Sequence, residues 1–132
     1  MDKLDATFRF HQDAANLRAY RQQLIASNIA NADTPNFKAR DINFRTALEG
    51  AFEARAARLV TTAPNHIASP NGGAPSAAGE LQYRTAVQGS VDGNTVDMDV
   101  ERSQFADNAI HYEANLTFIG DQIKIMRAAI QG

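Results

Sequence analysis

The chain has 132 residues, 44% of them hydrophobic and 21% charged, with a formal net charge of -2. That suits one globular domain with a modest core; there is no basic surplus for nucleic acid and no acidic tail for a basic partner. Cysteine is absent, which excludes disulfides, thiolate metal sites and a cysteine nucleophile.

Charges recur at Asp2, Lys3, Asp5, Arg9, Asp13, Arg18 and Arg21. They leave no room for the apolar core of ~7–15 residues that a signal peptide needs. No stretch approaches the ~18 apolar residues of a membrane helix. The expectation is a chain that does not insert into a membrane and does not use a cleaved Sec signal.

Residues 3–31 read as a helix. Phe10, Ala14, Leu17 and Leu24 form its apolar stripe, with Tyr20 on the flank and Arg21 interrupting it. Asn28, Asn31 and Asp33 supply end-cap and turn chemistry. Thr34-Pro35-Asn36 closes the helix, because a residue before proline is pushed into extended backbone.

Residues 37–44 alternate loosely and predict a short extended segment. Residues 45–60, with Leu48, Phe52 and Leu59, predict a short helix. Residues 61–80 hold Pro64, Pro70, Gly72, Gly73, Pro75 and Gly79, a composition that reads as a flexible loop. Residues 81–96 carry Leu81, Tyr83, Val87, Val91 and Val96, enough for one or two short strands, with a turn at Asp92-Gly93.

Residues 97–131 give the strongest pattern. Met98, Phe105, Tyr112, Ile119 and Met126 recur every seven positions, interleaved with Ala109, Leu116, Ile123 and Ile130. This is an a/d heptad seam on a helix spanning roughly 50 Å, with Arg102 as its one early polar position. Asp97, Asp99 and Glu101 sit at the N-terminus of that helix, where negative charge complements the macrodipole. Ile110, Ala114, Phe118, Ile125 and Ala129 form a second apolar stripe on another side. Burying side chains of this size is worth ~1.5–3 kcal/mol each. Two stripes therefore imply two sets of neighbours, unless the middle of the chain covers the second.

Chemistry is hard to find. His11, His66 and His111 lack metal-ligand spacing. The acids at 97–101 are better explained as helix capping than as a calcium or acid–base site. Asp92-Gly93-Asn94 is a fragment of a calcium loop without its remaining ligands. No phosphate loop, nucleophile elbow or dinucleotide motif is present. No catalytic residue, cofactor or metal is expected.

One segment, Ser27-Asn28-Ile29-Ala30-Asn31-Ala32-Asp33-Thr34-Pro35-Asn36-Phe37-Lys38-Ala39-Arg40-Asp41, resembles the signature of the rod and hook axial proteins of the bacterial flagellum. A second, Asp92-Gly93-Asn94-Thr95-Val96-Asp97-Met98-Asp99-Val100-Glu101 followed by Gln104-Phe105-Ala106-Asp107-Asn108, resembles the proximal-rod members of that family. So does Asn65-His66-Ile67. Asn36 stands where the general signature has glycine, and asparagine tolerates positive φ better than most residues.

The resemblance implies a mainly α fold. Long N- and C-terminal helices pair as an antiparallel coiled coil around an irregular middle with short strands and a short helix. The chain then forms one rod subunit over 1–132, divided at 1–34, 35–96 and 97–132. It further implies a non-enzymatic building block of the proximal rod, exported by the flagellar type III apparatus and located in the part of the basal body that crosses the periplasm. Implied partners are further copies of itself, the rod proteins FlgC and FlgF, the adaptor FliE and the MS ring. Phe44 to Leu48 fits the phenylalanine–hydrophobic element that related subunits use at the export gate. The assembly contacts expected from the stripes are Leu17, Leu24, Phe105, Tyr112, Leu116, Ile119, Ile123 and Met126, with Ile110, Phe118 and Ile125 on the second face. The competing reading is a small coiled-coil adaptor or export chaperone that binds one partner helix. Such a protein needs neither the second stripe nor the Asn-Pro signature.

Overall fold

The computed structural model describes residues 2–58, 81–85 and 90–132. Its elements are α1 (Asp2–Ala30), β1 (Arg40–Ile42), α2 (Phe44–Arg58), β2 (Leu81–Tyr83) and α3 (Met98–Gln131). The architecture is mainly α, with the two terminal helices packed along each other, α2 and β1 set against α1, and β2 paired with β1. The helices run antiparallel: Asn28 meets Glu101, Arg18 meets Asn108 and His11 meets Asn115. The expected loop over 61–80, with His66, lies outside the described residues, as do Leu59 and Val87.

Local chemistry sets the element ends. Asp97 is the N-cap of α3, its carboxylate accepting from the amides of Asp99 and Val100 at 3.0 and 3.3 Å. Asn43 does the same for α2, which starts at Phe44, one residue earlier than its sequence pattern suggests. β1 and β2 pair antiparallel, with Arg40 opposite Tyr83 and Ile42 opposite Leu81.

The apolar core is small. Leu17 and Leu24 of α1 pack with Ile42 and Ala47, and Tyr20, Phe44 and Leu48 lie against them. Ile25, absent from the predicted stripe, is fully buried, and Phe10, included in it, is exposed. The buried face of α1 is therefore rotated toward Ile25, so that Arg21 can turn to the strands.

Candidate functional site

The two signature segments dock on each other. The turn just beyond α1 presents backbone carbonyls that need donors. The side-chain amide of Asn94 gathers three of them, lying 3.0, 2.9 and 2.8 Å from the carbonyl oxygens of Asn31, Ala32 and Thr34. Its side-chain oxygen accepts from the Val96 amide, which holds the second segment in its turn. Backbone bonds run alongside, from Asn36 N–H to Asp92 O at 2.9 Å and from Thr95 N–H to Phe37 O at 3.0 Å. Asn31 bonds back to Ser27 O and receives the Thr34 hydroxyl. Asn36 and Gly93 both adopt positive φ, 60° and 75°. Thus Asn31, Thr34, Asn36 and Phe37 meet Asp92, Gly93 and Asn94 in one clasp just beyond the C-terminal end of α1, while Asn28 bonds to Arg40 and Glu101 and Asp97 caps α3.

A chain of charged side chains extends from this clasp. Asn28, buried in α1, behaves like a strand neighbour: it accepts from Arg40 N–H at 3.0 Å and donates to Arg40 O at 2.8 Å. The same amide reaches Glu101 at 3.2 Å. Arg84 forks between Glu101 and Asp41, 2.6 Å to each. Arg21 grips Asp41 with two nitrogens at 2.9 Å and donates to Gln104 at 2.7 Å. Burial acts to raise the pKa of Asp41, but the hydrogen bonds from Arg21, Arg84 and the Ile42 amide outweigh it, and its pKa falls below the ordinary value. Glu101 goes the other way, because its burial outweighs the help of Asn28 and Arg84. The hydrogen bond to Asp41 raises the pKa of Arg21. The network is internally charge-balanced, with two guanidiniums against two carboxylates.

The inner face of α3 is polar, not the apolar seam. Glu101, Asn108 and Asn115 are its buried residues, each seven positions from the next. Asn108 donates to Arg18 O at 2.9 Å and to Gln22 at 2.6 Å. Asn115 donates to His11 O at 2.9 Å, and His11 Nδ1 lies 2.9 Å from the Asn115 oxygen. Side chains this short reach a neighbouring backbone only when the helices lie close, and buried Ala14 and Ala15 add little bulk between those turns. Among the described residues, one buried side-chain atom has no partner, the Asn108 oxygen.

The heptad seam lies to one side of this polar face. At about 100° per residue, Leu116 and Ile123 lie roughly 60–80° round the helix from Asn108, and they remain 46% and 47% exposed. Phe105 is also exposed, while Tyr112, Ile119 and Met126 are half-buried. Phe105 and Tyr112 instead border an open groove of about 450 Å³, whose far wall is Ala19, Gln22, Gln23 and Ala26 of α1. The second stripe is largely uncovered too: Ile110, Phe118 and Ile125 are 62–68% exposed, although Phe118 stacks on the His11 ring at 5.9 Å between centroids. The middle of the chain does not cover it within the described residues. Leu17 and Leu24 are buried inside the subunit. Phe44 lies beneath the Arg18 guanidinium, 4.1 Å from ring centre to carbon, and Leu48 leans on the core.

Arg21, Asp41, Arg84, Asn108 and Asn115 were not singled out by sequence pattern, and Glu101 was read as a capping acid. One signal existed for Arg21, its interruption of an apolar stripe. Another existed for Asn108 and Asn115, whose spacing continues from Glu101. Arg84 has none, since its partners lie 17 and 43 residues away. Among the described residues no group of three or more acidic or histidine side chains is placed to hold a metal ion, and no helix is long and apolar enough to cross a membrane. Each charged group in the site is held by a partner on another element, an arrangement suited to fixing parts of a structure together.

Residues 8–38 match the family model described as flagella basal body rod protein. The whole chain is similar to flagellar basal body rod protein FlgB of Salmonella typhimurium (strain LT2), 49% identical and covering 100% of this chain and 98% of that one. It is 48% identical to the FlgB proteins of Proteus mirabilis (strain HI4320) and Escherichia coli (strain K12), covering 99% of this chain and 98% and 97% of theirs.

Proposed function

This chain belongs to the FlgB family of flagellar basal body rod proteins, and from that membership we propose that it is a proximal rod subunit that assembles through the outer faces of its terminal helices. One observation carries the reading. Helix α3 turns Glu101, Asn108 and Asn115 inward and leaves Ile110, Leu116, Phe118, Ile123 and Ile125 outward. An isolated adaptor gains nothing from that inversion, whereas a subunit surrounded by copies and related rod proteins buries those stripes on assembly. Contacts of this kind join different faces of successive subunits, and heterologous contacts that do not close build helical arrays. Seam and groove serve one neighbour; the second stripe serves another. Leu17 and Leu24 hold the subunit together and act on assembly only through its shape.

The partners that fit are further copies, FlgC and FlgF on one side, and FliE and the MS ring on the other. Arrival without a cleaved signal, through the type III export apparatus, and a final place where the rod crosses the periplasm complete the proposal. The work is mechanical: packed helices transmit torque.

The test separates folding from assembly. Leu116→Asp and Ile123→Asp place a charge on a half-exposed position, so the isolated subunit should melt within ~0.5 kcal/mol of the parent. In the rod the charge is unpaired and buried, and cells should be non-motile with basal bodies that lack rods. Normal motility in either strain refutes the proposal. A compact, discrete dimer at every concentration favours the adaptor reading instead.

A further inference from the structure

Strand β2 is exposed along its whole length, yet it is tied to both halves of the subunit at the residue that follows it. Arg84 N–H donates to Ala39 O at 2.9 Å, continuing the pairing with the β1 segment. The Arg84 guanidinium then reaches in two directions, to Asp41 beside β1 and to Glu101 on α3, 2.6 Å each. Glu101 is 1% exposed and Asp41 is held from the other side by Arg21. A planar guanidinium can serve two carboxylates at once with fixed geometry, which an ammonium cannot. The Arg84 guanidinium thus joins the segment 81–85 to α3.

We infer that Arg84 is a positioning residue that couples the order of the middle segment to the docking of α3, through one guanidinium shared between Asp41 and Glu101. With α3 undocked, Glu101 is absent and the fork loses half of its hold, so segment 81–85 and its pairing with β1 loosen. With α3 docked, the middle segment is fixed to the helix pair as one body. The purpose rests on the rod reading, since a part that turns with a shaft must be tied to it. The coupling itself is a property of the single subunit and stands or falls separately.

Amide hydrogen exchange on the full-length chain tests it. The reporter is the Arg84 amide, with the Ile25 amide in the core of α1 as control. Glu101→Gln removes the charge on α3 that the fork grips. It should speed exchange at the Arg84 amide about tenfold, because local opening there becomes easier, and should not speed it at Ile25. In an Arg84→Met background the same change should add nothing, since the route is already cut. The inference is overturned if Glu101→Gln leaves the Arg84 amide unchanged, or speeds it equally in both backgrounds. It is also overturned if Ile25 accelerates in step, which makes Glu101 a general support of the fold. Loss of rods in cells is a separate readout and bears only on the rod reading.

Discussion

Asn36 and Gly93 face each other across the clasp at positive φ, and a β-carbon built on Gly93 falls 2.6 Å from the Asn36 side-chain oxygen. The two signature segments thus meet where one of them has no side chain.

Gly93→Ala should therefore destabilise the subunit. The Asn36 side chain can swing aside, so the larger part of the loss is the left-handed backbone, ~1–2 kcal/mol. Asn36→Gly relieves its own positive φ and should be neutral or slightly stabilising. Denaturant midpoints of the two single variants check both signs.

Asn94 distinguishes a donor from an acceptor. Asn94→Ala leaves the carbonyls of Asn31, Ala32 and Thr34 without their amide and should cost about 2–3 kcal/mol. Asn94→Asp should cost more, because it keeps the acceptor for Val96 but sets a negative charge against three carbonyl oxygens. Equal midpoints for the two variants contradict this.

Acid should act in two stages on the charged network. The Glu101 pKa is raised above 4.5 in the fold, so the stability it contributes is present below pH 4.5 and is lost as pH rises through its folded value. The Asp41 pKa is depressed below 3.8, so its contribution is present above pH 3.8 and disappears as pH falls through its folded value. Lowering the pH from neutrality should first relieve the burial of Glu101 and then, below 3.8, weaken the hold on Asp41. In melting temperatures measured against pH, Glu101→Gln should flatten the first stage and Asp41→Asn the second.

Leucines on the two sides of the subunit should part company. Leu17→Ala empties a site that is 1% exposed and should cost ~2–4 kcal/mol. Leu116→Ala, half-exposed on the outer face, should change the isolated chain by under ~0.5 kcal/mol. Urea titration of each compares them directly.

Much of this molecule is legible from residue order alone. Helix α1 was expected over 3–31 and α3 over 97–131, close to their observed bounds, because long periodic segments with clear end signals leave little choice. Asp97 and the Asp92-Gly93 turn were readable for the same local reason. What periodicity could not yield is which face of α3 turns inward. An apolar heptad ordinarily outranks an asparagine for a buried position. Asn108 and Asn115 win here because carbonyls on α1, 90 and 104 residues away in the chain, satisfy their amides. No local rule sees such partners. Arg21 is similar: within its own helix it looks like a flaw, and only Asp41, brought back by the turn at Thr34-Pro35-Asn36, makes it a fixture.

The span from His11 to Asn115 also has a meaning in time. A ribosome or a narrow export channel delivers the N-terminus first, so α1 emerges long before any of its α3 partners. The amide that gathers the turn beyond it arrives with Asn94, and its pairing still needs Asn115 and Phe118, which meet His11 near the end of the 132 residues. Contacts so distant in sequence form slowly and late. A chain delivered from its N-terminus therefore keeps its first helix unlatched until almost all of the sequence has followed it.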